Sequence, residues 1–137
     1  MIEYIINHRN GSLIFQSDSI KQSNKTNLSI IKKLCLSALF TYDGYLKAVQ
    51  NEFGKSYLIP VYIDEELMFI PIKRTRDYEN IWINYAALID VVSYHDYIEI
   101  IFDSTRKLSI NISLKSFQKQ IKYLEAIRKA KVKNFHF

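Results

Sequence analysis

The sequence predicts an α+β domain: an antiparallel sheet with an N-terminal hairpin, central helices and a C-terminal amphipathic basic helix. Three observations predict it. First, Asn10-Gly11 stands between two apolar, β-prone runs at 2–8 and 12–17. Asn-Gly in that position is the strongest short hairpin signal, because both residues tolerate positive φ. Second, Ile98, Ile100 and Phe102 alternate with Glu99, Ile101 and Asp103, and after the turn at 103–107 Leu108, Ile110 and Ile112 alternate with Ser109, Asn111 and Ser113. A period of two with one apolar face describes a second hairpin resting on a core. Third, the period changes at Leu114. Leu114, Phe117, Ile121, Leu124 and Ile127 fall on one side of a helix, and Lys115, Lys119, Lys122 and Lys129 fall together on the other.

The remaining elements follow in chain order. Residues 18–27 read as a polar connector. A helix fits Leu28 to Phe40, capped by Thr26 or Asn27, with Leu28, Ile31, Leu34 or Cys35, Ala38 and Leu39 on one side. Tyr42-Asp43-Gly44-Tyr45 is expected to break it, and a second helix then runs from Tyr45 to Phe53 and stops at a C′ glycine, Gly54. Strands at 57–63 and 67–72 flank the Asp64-Glu65-Glu66 turn. Each contains a proline, Pro60 or Pro71, which favours edges or bulges. The stretch from Phe69 to Asn84 organises the chain: an apolar strand ending in Pro71, a basic crossing with Lys73, Arg74 and Arg76, then an apolar segment anchored by Trp82 and continuing to Leu88, Ile89 and Val91. The sole Trp of a small domain is a core anchor by its area alone. Asp90 to Tyr97 reads as a polar link, Ser113 as the N-cap of the last helix, and the tail after Ala130 is expected to fray.

At 137 residues the chain reads as one domain, 1–137, able to bury roughly 68% of its unfolded surface without disulfide or metal staples. Its lone cysteine, Cys35, sits between leucines as a small buried apolar residue and belongs to no ligand cluster. The N-terminus lacks the basic and apolar regions of a signal peptide, and no apolar run approaches the roughly 18 residues of a membrane span. The expected compartment is the cytoplasm, at the nucleoid, with no membrane partner. Charge is uneven. From Leu114 onward, seven Lys/Arg face the single acid Glu125, a segment of +6 in a chain of net +5, which leaves −1 for the remainder. A near-neutral body with a basic C-terminal segment is a layout for binding polyanions, although charge runs are also common as solvated faces.

No enzyme signature is present. His8, His95 and His136 are scattered, none at ligand spacing with a Cys or carboxylate, so no metal site and no cofactor are expected. The sequence has no nucleophile elbow, no Gly-rich phosphate loop and no dinucleotide fingerprint. What remains is the lysine stripe and the crossing loop, where Lys73, Arg74 and Arg76 stand near Tyr78. Lys and Arg supply salt-dependent phosphate affinity, and loop arginines can enter a narrow A·T minor groove, where the potential is most negative.

The order Cys35, Tyr42–Val49, Pro60-Val61, Phe69-Ile-Pro71, Glu79-Asn80-Ile-Trp82-Ile-Asn84, the Ile100-to-Ile112 hairpin and Ser116-Phe117-Gln118-Lys-Gln120 resembles the competence transcription factor (ComK) family. The resemblance covers about Ile30 to Leu124, and the tract around Trp82 is its most specific part. It implies a DNA-binding activator of DNA-uptake genes that recognises AT-rich double-stranded DNA from the minor groove, works as a homo-oligomer and is degraded through a proteolytic adaptor. The positions that line up with basic family segments are Lys47 and the Lys73–Arg76 loop. Two departures stand out: only Lys47 is charged after the Tyr/Gly turn where relatives carry a basic pair, and the further C-terminal extension of familiar members is not present. These motivate an alternative, a non-catalytic interaction module that modulates a full-length relative or sequesters its degradation adaptor. The expected DNA-binding set is Lys47, Lys73, Arg74, Arg76, Lys115, Lys119, Lys122 and Lys129.

Overall fold

The computed structural model describes residues 1–54 and 57–133; Lys55, Ser56 and the last four residues, His136 among them, lie outside the described residues. The elements are β1 (Ile2–His8), β2 (Gly11–Gln16), β3 (Ile20–Ser23), α1 (Asn27–Ser37), α2 (Tyr42–Phe53), β4 (Val61–Asp64), β5 (Leu67–Pro71), β6 (Ile81–Asn84), a 3-10 turn (Tyr85–Ala87), β7 (Leu88–Ser93), β8 (Ile98–Phe102), β9 (Lys107–Ile110) and α3 (Leu114–Lys133). One antiparallel sheet runs β3-β2-β1-β6-β5-β4 and a second runs β7-β8-β9. α1 lies against β1 and β2, and α3 against β4 and β5. This is the α+β class expected, with its N-terminal hairpin, central helices and C-terminal helix.

β6 joins the N-terminal hairpin to the β4–β5 hairpin. Ile83 pairs with both Tyr4 and Ile70, and Trp82 with both Ile5 and Pro71. Trp82, Phe69, Ile5 and Ile83 are wholly buried there, so the lone Trp is the core anchor expected. The smaller sheet joins through Tyr4, whose ring stacks on Phe15 at 4.2 Å and on Phe102 at 5.5 Å. It is also clamped by a buried charge. Glu3, fully buried, accepts from Arg106 Nε at 2.8 Å and from the Ser104 hydroxyl. Arg106 in turn stacks over Phe15, 5.2 Å from the ring centre, and donates to the Gln16 carbonyl.

Several local expectations are corrected. The first hairpin turns at Arg9-Asn10, because His8 pairs with Gly11, and Arg9 takes the positive φ of 55°. Gly11 is required for a different reason: a Cβ there would lie 1.9 Å from the Ser23 carbonyl oxygen, at the point where β3 crosses. The supposed connector at 18–27 contains β3, an exposed edge strand whose backbone pairing with β2 needs no apolar alternation. The first half of the Asp90–Tyr97 link is strand as well, since β7 reaches Ser93 and pairs with β8.

The Trp82 segment does not continue as one strand. Asn84, fully buried, turns it from one sheet to the other. Its Oδ1 accepts from Met68 N and Ala86 N, and its Nδ2 donates to the carbonyls of Ile2 and Glu66.

α1 also ends earlier than its apolar spacing suggests. Phe40 N–H bonds to Cys35 O at 3.2 Å and Leu39 N–H to Leu36 O at 3.0 Å, a Schellman motif that places Leu39 at C′ with φ 69°. That position favours glycine; an L-residue there costs about 1–2 kcal/mol. Tyr42–Tyr45 does not break the helices; it opens α2. Thr41 caps it by accepting from Gly44 N at 3.1 Å, and Gly54 closes it with φ 69°, as expected. α3 continues past Ala130 to Lys133.

Candidate nucleic-acid interface

The crossing between β5 and β6 is a built loop. Asn80, almost wholly buried, is its internal post: Oδ1 accepts from Ile72 N at 3.0 Å and Lys73 N at 2.9 Å. Two successive turns follow, Asp77 N–H to Arg74 O at 2.9 Å and Asn80 N–H to Asp77 O at 3.0 Å, and the Asp77 side chain accepts from Glu79 N. The loop is tied to the body on three sides. Asn7 Nδ2 donates to Tyr78 O, Asn27 Nδ2 donates to Asn80 O at 2.7 Å, and the Tyr78 hydroxyl donates to Arg9 O at 3.4 Å. Burial raises the Tyr42 phenol above its ordinary value. Asn7 Oδ1 also accepts from Asn27 N at 2.8 Å, so three asparagines link β1, the start of α1 and the loop. Lys73, Arg74 and Arg76 project from this frame, all exposed.

α3 supplies the second basic element. Phe117, Leu124 and Ile127 are buried, and Lys115, Lys119, Lys122 and Lys129 are exposed on the opposite side, as the spacing requires. From Lys115 to Lys129 the stripe is about 21 Å long at the helical rise. Not every cation of the basic segment is available. Arg128 holds Glu65 in a two-armed ion pair that keeps the carboxyl down at about 2, with the Tyr62 hydroxyl donating to the same group. Lys131 turns inward, its Nζ 4.3 Å from the Phe40 ring centre and bonded to the Tyr62 carbonyl, and burial lowers its pKa.

The loop joins the two helical regions. Gln120 of α3 donates to Leu58 O at 2.7 Å and lies 3.5 Å from Pro71 O, so Lys119 shares a cleft with Pro71 and Ile72, just before Lys73. At the other end Thr75, Arg76 and Tyr78 share a cleft with Thr26, Leu28 and Lys32. The structure thus brings Lys119, the loop cations and Lys32 into one sequence of neighbours. Lys47 lines neither of these clefts. It lies on the outer side of α2, opposite Tyr42, Tyr45 and Val49. Lys129 lies about 15 Å along the stripe from Lys119. Lys32, over the Tyr42 ring at 5.9 Å, was not among the expected residues; only the fold, which sets the start of α1 beside Arg76, reveals it.

Among the described residues no group of three or more His, Cys, Asp or Glu could hold a metal, and no helix is long and apolar enough to cross a membrane. His95 is exposed beside Asp96, and His8 closes β1. Cys35 is buried and its thiol is pushed up to about 11 by that burial, which suits a packing residue.

The family model for the ComK protein matches residues 2–133, a longer span than the motifs alone cover. No curated protein and no solved structure matches the chain. The chain belongs to the ComK family of non-catalytic, DNA-binding competence transcription regulators.

Proposed function

We propose that the protein activates DNA-uptake genes as a homo-oligomer that recognises AT-rich duplex, with the Lys73–Arg76 loop read into the minor groove. The observation that carries this reading is the rigid mounting of that loop. Three exposed cations stand on a short crossing held by Asn80, Asn27 and Asn7. A fixed loop loses little freedom on binding, so its arginines are suited to sensing groove width and potential. The stripe of Lys115, Lys119, Lys122 and Lys129, with Lys47 on α2, serves phosphates and adds affinity without sequence information.

Fluorescence anisotropy with two duplexes of equal length, one with A and T tracts and one GC-rich, tests this over a range of salt. The wild type is expected to prefer the AT duplex, and Arg74→Ala/Arg76→Ala to bring the AT-to-GC affinity ratio towards one. A double variant with an unchanged ratio removes the loop as reader. No binding to either duplex at low salt supports the alternative, a non-catalytic module acting on a full-length relative or on its degradation adaptor.

A further inference from the structure

Where the crossing loop meets the start of α1, the surface holds a cleft of about 420 Å³ whose lining includes two cations, Lys32 and Arg76, and no carboxylate. Both side chains are exposed, and among the described residues neither has an acid as an ion-pair partner. That separates them from Arg106 and Arg128, whose guanidinium groups are held by Glu3 and Glu65. The walls of the cleft are joined to each other. Asn27 donates from its side chain to Asn80 O at 2.7 Å and from its backbone to Asn7 Oδ1 at 2.8 Å, which ties the loop to the first turn of α1. Lys32 stands about 7.5 Å further along that helix. Its ammonium lies 5.9 Å from the centre of the Tyr42 ring. Two like charges fixed on one cleft repel each other, and an anion between them removes that repulsion. Arg74 is also exposed but does not line this cleft.

We propose that Lys32 and Arg76 together hold one backbone phosphate of the duplex, at the edge of the groove that the crossing loop enters, and that Arg74 is the arginine left to read. This rests on the loop reading above and divides the loop's work between two residues. A phosphodiester suits the pair. Its two free oxygens match the guanidinium fork, and the ammonium adds a point charge to the same group. The cations do not stop at the cleft: Lys73 follows on the loop, and Lys119 stands beside Pro71 and Ile72 at its other end. A polymeric anion meets such a series, whereas an isolated phosphate has no use for it. A phosphate contact carries no base information but fixes register. With the anchor two residues from Arg74 on a loop pinned by Asn80, the reader enters the groove at a set position.

Anisotropy titrations over a range of salt, with the full chain and the same AT-rich and GC-rich duplexes, test the proposal. Lys32→Ala/Arg76→Ala is expected to weaken binding to both duplexes by a common factor, to keep the AT-to-GC ratio of the wild type, and to lower the slope of log K against log salt by about 0.9, the value for one phosphate. Arg74→Ala is expected to bring the ratio towards one. Lys33→Ala/Lys107→Ala removes two charges from exposed positions outside the cleft and is expected to leave slope and ratio unchanged. All these side chains are exposed, so each variant is expected to melt within about 2 °C of wild type. A Lys32→Ala/Arg76→Ala slope no different from that control overturns the phosphate site and leaves the loop reading standing. A ratio that falls in Lys32→Ala/Arg76→Ala and holds in Arg74→Ala overturns the division of roles. Inorganic phosphate exchanged for chloride at equal ionic strength is expected to leave wild-type affinity unchanged; competition that Lys32→Ala/Arg76→Ala abolishes marks a site for free phosphate and overturns the assignment to the duplex. A wild type that binds neither duplex overturns both the site and the reading it rests on.

Discussion

Asn80→Ala is the sharpest perturbation of the loop, because it removes no charge and touches no exposed surface. The side chain is about 1% exposed, and its Oδ1 accepts two backbone N–H groups, those of Ile72 and Lys73. A net hydrogen bond contributes about 1 kcal/mol, and partly buried donors left unpaired add to the loss, so about 2–3 kcal/mol is expected. At about 2.1 cal/mol/K per residue, a chain of 137 residues has an unfolding entropy of about 0.29 kcal/mol/K, which converts that loss to about 7–10 °C in Tm. Thermal unfolding followed by circular dichroism reads the stability, and anisotropy at a temperature where the variant is folded reads the DNA. The expected result is weaker binding to AT-rich duplex than to GC-rich, relative to wild type, because the reader is loosened while the lysine stripe is intact. A Tm shift below about 2 °C would refute the structural half of the reasoning. A large shift with unchanged AT preference would refute the link between loop rigidity and reading.

Three further outcomes are expected. Lys119→Ala/Lys122→Ala should weaken binding to all duplexes alike and reduce the slope of log K against log salt by about 1.8 if each contacts one phosphate, read from anisotropy titrations. Glu3→Ala leaves Arg106 without its buried partner and should cost about 3–5 kcal/mol in urea denaturation, whereas Glu99→Ala, whose Lys107 partner is exposed and 4.0 Å away, should cost under about 1 kcal/mol. Glu65 has its folded pKa held at about 2, below the ordinary 4.5, so the stability it contributes is present above pH 4.5 and is lost as the pH falls towards 2. Arg128→Ala should move the Glu65 carboxyl titration in carbon-detected NMR up towards 4.5 and abolish that part of the acid dependence; an unmoved titration would deny the pair.

The strongly patterned elements were legible in the sequence. The β8–β9 hairpin needed only its alternation, and α3 needed only apolar spacing with lysines on the other side, because both are amphipathic elements whose buried face is set by local period. The same periodicity placed Lys115, Lys119, Lys122 and Lys129 outward before any tertiary contact was known. Elements governed by other forces were not legible. β3 is held by backbone pairing to β2, so its exposed side chains carry no signature of a strand. The break after Trp82 depends on Asn84, whose four partners come from residues as far away as Ile2. Apolar spacing carried α1 on to Phe40, but a Schellman turn at Leu39 stops it short.

Charge shows the same division. Sequence by itself determined that basic residues collect in the last helix and the crossing loop, and motif order determined the family. Tertiary structure alone decided which of those cations remain available. Arg128 is next to the exposed Lys129 and Lys131 lies two residues beyond it, yet α3 packs against β4 and turns them onto Glu65 and onto the aromatic wall of Phe40, Tyr45 and Tyr62. Lys32, unremarkable on its own helix, is placed beside Arg76 because Asn27 hydrogen-bonds the loop to the start of α1. Helical period fixes the angle at which a side chain leaves its helix; what it meets there is fixed by contacts from distant parts of the chain.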